Sequence, residues 1–161
     1  MTTWARVVDA LRAIVISWEL VCASAVVLLL RALPSVADRA VAILLRAELG
    51  TALTLLSLPV AIAGFGYTVV KEILHLGDPK RQKLVSWPGY WRLKMRCSIG
   101  MAWTGIGVAG SWGGILALHL LHGRVGLTII ACAATVSVVS LVSLIRARFD
   151  ASDILDKNGG A

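Results

Sequence analysis

The chain has 161 residues, of which 58% are hydrophobic and only 16% charged, with a formal net charge of +7 and a mean hydropathy of +0.81. An ordinary soluble domain carries roughly a quarter charged residues, so this composition excludes a water-soluble globule; it equally excludes a disordered chain, which lacks apolar surface. The apolar excess is gathered in blocks, and the charge in the segments between them.

Crossing a hydrocarbon core of about 30 Å takes roughly 20 helical residues, and four stretches are long enough. The first, about 13–33 (AIVISWELVCASAVVLLLRAL), contains Glu19, and Arg31 lies near its end. Its start also admits a cleaved signal peptide, because Arg6 and Arg12 precede an apolar core and Ser35-Val36-Ala37 resembles a cleavage site. Asp9, Glu19 and the length of the apolar run argue against that, and three spans remain if the segment is cleaved or interfacial. Glu19 is an intramembrane polar candidate, since a carboxyl in lipid costs a few kcal/mol and usually turns toward a partner, a proton path or a cation. The structural alternative is an interfacial acid paired with Arg12, seven residues earlier on the same face.

Pro34 and Ser35 follow, and Ser35 and Asp38 have capping-box spacing, which predicts a helix start. Over 35–48 apolar residues recur at helical intervals while Arg39 and Arg46 share another face, as in a helix lying on a membrane surface or leading into the next span. The second span, about 51–70 (TALTLLSLPVAIAGFGYTVV), carries no charge. Pro59 at its middle predicts a kink, with Ser57 or a neighbouring helix taking up the freed carbonyl.

The loop 71–96 holds Lys71, Lys80, Arg81, Lys83, Arg92, Lys94 and Arg96 against Glu72 and Asp78. Positively charged loops stay on the cytoplasmic side, so this loop and, with four spans, both termini are expected there. Twelve of the 16 Lys and Arg residues then fall inside, and the charge needs no nucleic acid to explain it. Within the loop Trp87, Tyr90 and Trp91 stand beside Arg92, Lys94 and Arg96. Aromatics at that depth form an interfacial belt and the cations attract anionic headgroups, so these six residues are candidates for lipid or partner contact as well as topology anchors.

The third span, about 97–121, is rich in small residues, which let helix backbones approach closely. Ala102, Gly105, Ala109 and Gly113 make one stripe; Gly100, Thr104, Gly107, Ser111 and Gly114 make another; Gly110 and Gly114 form a GxxxG. One stripe suffices for packing within the chain, and the second points to another subunit. His119 and His122, at i and i+3 near the outer end, could begin a metal site, but two ligands do not complete one. The pair is expected at the wetted outer interface, and no metal is expected.

The fourth span, about 125–145, adds Thr128, Thr135, Ser137, Ser140 and Ser143, able to bond across a seam or to their own backbone. The tail 146–161, with Asp150, Asp153 and Asp156, is expected to be a solvated, fraying end. Cys22, Cys97 and Cys132 form no CxxC and fit small apolar fillers.

The expectation is therefore one all-α, polytopic membrane helix bundle of four transmembrane helices, integral to a plasma (bacterial inner) membrane. It has no catalytic constellation and no cofactor, since membrane enzymes need several convergent polar groups. Its expected role is that of a subunit or scaffold in a membrane assembly or homo-oligomer, with an oligomeric pore, holin-like or ion-conducting, as the alternative.

Overall fold

The computed structural model describes residues 17–46, 49–74, 82, 84–87, 89–120 and 123–157, and every element among them is an α-helix. Five helices have described bounds: α1 Trp18–Ala32, α2 Pro34–Arg46, α3 Leu49–Leu74, α4 Tyr90–Leu120 and α5 Gly123–Lys157, with residues 82 and 84–86 between α3 and α4 also helical. The chain is thus an all-α bundle. Residues 1–16, with Arg6, Asp9 and Arg12, the stretch 75–81 and residue 83 of the basic loop, with Lys80, Arg81 and Lys83, His122 and the last four residues lie outside the described part.

The first expected span is not a single helix. Ser17 is extended (φ −76°, ψ 141°) and its hydroxyl accepts from the Leu20 N–H, so α1 begins at Trp18. Its 15 residues reach about 22 Å at 1.5 Å per residue, short of a hydrocarbon core. Leu33 closes α1 by donating to the Leu29 carbonyl at 3.0 Å, and the chain turns by 98° into α2. Pro34, with no N–H to lose, takes the first helical position of α2. The capping box expected at Ser35 and Asp38 is absent: Ser35 is already helical, and the Asp38 carboxylate is held by Arg124.

α3 runs for 26 residues with Pro59 buried inside it. Ser57 donates to the Thr54 carbonyl at 2.7 Å, whereas Pro59 frees the carbonyl four residues before it, at Leu55; the expected repair by Ser57 does not occur. α4 has 31 residues and starts seven residues before Cys97, and α5 has 35 and continues past Ile145 to Lys157. By length and composition, α4 and α5 are long enough and apolar enough to cross a membrane, giving two crossings, or three if the bent pair α1–α2 is one span. Among the described residues that criterion counts two or three spans where four are expected.

α4 and α5 are antiparallel and form the largest contact of the bundle. Gly100 lies against Leu144, Gly107 against Ala133 and Ser137, Gly114 against Ile130, and Gly126 against the backbone of Leu118. Buried residues recur in alternating steps of three and four on α4 (Cys97, Gly100, Thr104, Gly107, Ser111, Gly114, Leu118) and on α5 (Ala133, Ser137, Ser140, Leu144, Ala147, Ala151). This is the spacing that keeps one seam facing its partner. At one end of the seam α3 joins, and Val69, Val70 and Ile73 pack with Leu84, Leu93, Cys97, Leu144, Ala147 and Ala151 into the main core.

The expected polar tail, as far as Lys157, is therefore the last third of α5. Ala147 and Ala151 are buried because a methyl is all the space between helices allows. On either side of them Arg148 pairs with Glu72 of α3 at 2.9 Å and Asp150 with Arg96 of α4 at 3.3 Å.

Candidate assembly and lipid-facing surfaces

The two small-residue stripes of α4 have different fates. Gly100, Thr104, Gly107, Ser111 and Gly114 are all buried in the seam with α5. Ala102, Gly105, Ala109 and Gly113 are all exposed, and a Cβ placed on Gly105 or Gly113 would meet nothing within 4 Å. Of the residues expected to pack helices, only Gly110 and Gly114 do so within the chain; the exposed stripe is open, flanked by exposed Ile106, Trp112 and Leu116. The difference arises on α5, whose seam residues supply the partners that only one face of α4 can reach.

Hydroxyls follow the seam. Thr104, Ser111 and Ser137 are buried and donate to Met101, Gly107 and Ala133 carbonyls of their own helices at 2.8, 2.8 and 2.9 Å. Thr128 and Thr135 likewise bond one turn back, to Arg124 and Ala131. Ser140 Oγ is buried with no partner. The hydroxyls thus serve the backbone rather than bridge helices. Across to α1, the Cys132 thiol points at the Ala23 carbonyl at 3.7 Å; all three cysteines are free.

Glu19 is 5% exposed, in the first turn of α1, behind Ser17 at 7%. A carboxylate at that position favours the helix N-terminus, where orphan N–H groups carry partial positive charge. α1 packs mainly on α5, and Glu19 is buried rather than at an outward-facing surface.

The aromatic and basic block divides. Trp87 and Tyr90 turn inward and pack on the main core, and Leu93 between them and Cys97 is buried. Gly89 makes this possible: a Cβ there would strike the Trp87 indole ring, and the Gly89 carbonyl accepts from Leu93 N–H at 3.2 Å to open α4. Trp91, Arg92, Lys94 and Arg96 remain exposed, with Arg96 paired to Asp150. Two of the six expected contact residues are therefore half-buried against the core, a placement their composition alone did not distinguish.

His119 is exposed near the end of α4. Among the described residues no three His, Cys, Asp or Glu side chains are grouped to hold a metal ion. At the same end of the bundle Arg124 grips Asp38 through two bonds of 2.6 Å each, one to each carboxylate oxygen. Hydrogen bonding from Arg124 holds the Asp38 carboxyl below its ordinary range. No family model matches the chain, and neither the curated proteins nor the solved structures contain a similar one.

Proposed function

We propose that this is a multi-pass integral membrane protein that acts without catalysis, as a subunit or scaffold of a membrane assembly, and that it assembles through the exposed small face of α4. In the proposed topology α3, α4 and α5 each cross the bilayer, and the first span, of which α1 is the described part, crosses it as well. α3 has the length for this and no charge before Lys71. The excess of Lys and Arg in 71–96 sets that loop and both termini on the cytoplasmic side of a plasma (bacterial inner) membrane, where exposed Arg92 and Lys94 meet anionic headgroups at about 1 kcal/mol each.

The observation that carries the reading is the open stripe Ala102, Gly105, Ala109 and Gly113. In lipid there is no hydrophobic drive between helices, and association follows from close backbone approach at small residues. A face that is small but unfilled forfeits those contacts unless another helix supplies them.

The test is association in liposomes by energy transfer between labelled copies, together with co-purification from the native membrane. Gly105→Leu is expected to abolish association or to release a stoichiometric partner while leaving helix content intact. Unchanged assembly in that variant would count against the reading. The alternative, a small oligomeric pore, draws on Glu19, a carboxyl buried on an apolar helix; it requires dye or ion leakage from the same liposomes, and tight liposomes at every protein density remove it.

A further inference from the structure

α2 lies at 98° to α1, so a bilayer crossed along α1 has α2 running in its plane. One face of α2 is occupied by the bundle: Ala37 is buried, Ala40, Val41 and Leu44 are half-buried, and Val41 lies against Gly123. Asp38, on the flank of α2 opposite Val36 and Ile43, is fixed by Arg124. Between these faces a shoulder is left. Val36 and Ile43, seven residues apart and therefore one above the other, are 54% and 69% exposed. Arg39 and Arg46, also exposed, run alongside them and make no ion pair with any described residue.

We propose that this shoulder is a lipid-docking surface of the outer leaflet. Val36 and Ile43 enter the boundary between headgroups and acyl chains, and Arg39 and Arg46 bind the phosphates of anionic headgroups. An amphipathic helix with cations flanking its apolar side is built to lie at that depth, and Arg side chains reach outward from apolar surface to the phosphate layer. Two observations select lipid as the occupant. The shoulder follows directly in the chain on the exposed Leu28, Leu29 and Leu33 at the end of α1, side chains that the proposed topology gives to acyl chains. Its charge is purely positive and complements a phosphate layer. The inference rests on the membrane part of the proposed function and is independent of the assembly face.

The experiment uses the full chain with Cys22, Cys97 and Cys132 replaced by Ala, carrying one environment-sensitive fluorophore at Ile43→Cys, Ala42→Cys or Ile106→Cys. Each is reconstituted into phosphatidylcholine vesicles with and without phosphatidylglycerol. Position 106, exposed midway along α4, reports whether the chain is in lipid at all, and position 42 reports the polar side of α2. The label at 43 is expected to emit to the blue of the label at 42, and to be quenched by nitroxide placed high on the acyl chain more than by nitroxide placed deep or by aqueous iodide. Arg39→Gln with Arg46→Gln is expected to remove the additional burial seen with phosphatidylglycerol. If position 106 is deep while position 43 responds to iodide as position 42 does, α2 faces water and the inference fails alone. If 43 is shielded from both iodide and nitroxide lipid, a protein surface covers it and the inference fails. If 106 is itself reached by iodide, the membrane reading fails first.

Discussion

At the scale of single residues, the bundle is decided by where a side chain is missing. Gly126 lies so close to Leu118 that an added Cβ would meet backbone nitrogen and Cα, with the Gly114 carbonyl 2.7 Å away. No rotamer change relieves a backbone contact, so the helices must separate. Gly126→Ala should destabilise the bundle by about 1–3 kcal/mol through overpacking, against a helix-propensity gain of about 1 kcal/mol. Gly105→Ala, which meets nothing within 4 Å, keeps the gain without the clash. The denaturation midpoint in mixed detergent should fall for the first and stay or rise for the second; equal losses would contradict the assignment of faces. The sequence displayed both stripes of α4 but not which one was filled, because that depends on the register of α5. Glu19 was visible as an acid in an apolar run; its burial was not, because that depends on which elements pack around the start of α1.

At the scale of elements, the least legible feature was where helices stop. Charged residues such as Arg146, Arg148 and Asp150 mark the end of a lipid-exposed run, and the run does end there. The helix does not, because Ala147 and Ala151 keep the buried spacing of the seam while the charges point outward to pair with α3 and α4. Ala151→Leu should therefore destabilise the inner end by about 1–3 kcal/mol, whereas Asp150→Asn, which removes a half-exposed ion pair, should cost under about 1 kcal/mol. Amide exchange along 146–155 checks both; if the two variants lose protection equally, the alanines are not what anchors this segment.

The link between α2 and α5 has a pH dependence of definite sign. Arg124 lowers the Asp38 carboxyl from its ordinary 3.8, so folding contributes stability there above that value. This stability is lost as pH falls through the lower value of the folded chain. Exchange protection of α2, corrected for intrinsic rates, should drop on that acid limb, and Asp38→Asn should show the reduced protection already at neutral pH. Identical protection in the two proteins at neutral pH would contradict a latch.

At the scale of the whole molecule, the class of fold was legible because hydrocarbon leaves the backbone few options. Uncharged runs longer than a barrel strand must be helices, and the bundle among the described residues is entirely helical. The number of crossings was less legible: composition counts apolar length, whereas a 98° turn at Leu33 and an extended residue at Ser17 divide that length into pieces. The exposed apolar side chains are spread over every described helix, among them Leu28, Ile43, Phe65, Ile106 and Val142. A surface of that kind is compatible with a lipid surrounding, since monomeric soluble proteins rarely expose apolar patches of more than a few hundred Å².

The most direct test of that claim is fractionation of the untagged chain after alkaline carbonate washing of the membranes that contain it. The account predicts that the protein stays in the pellet until detergent is added. Monodisperse protein in a detergent-free, ultracentrifuged supernatant would contradict it.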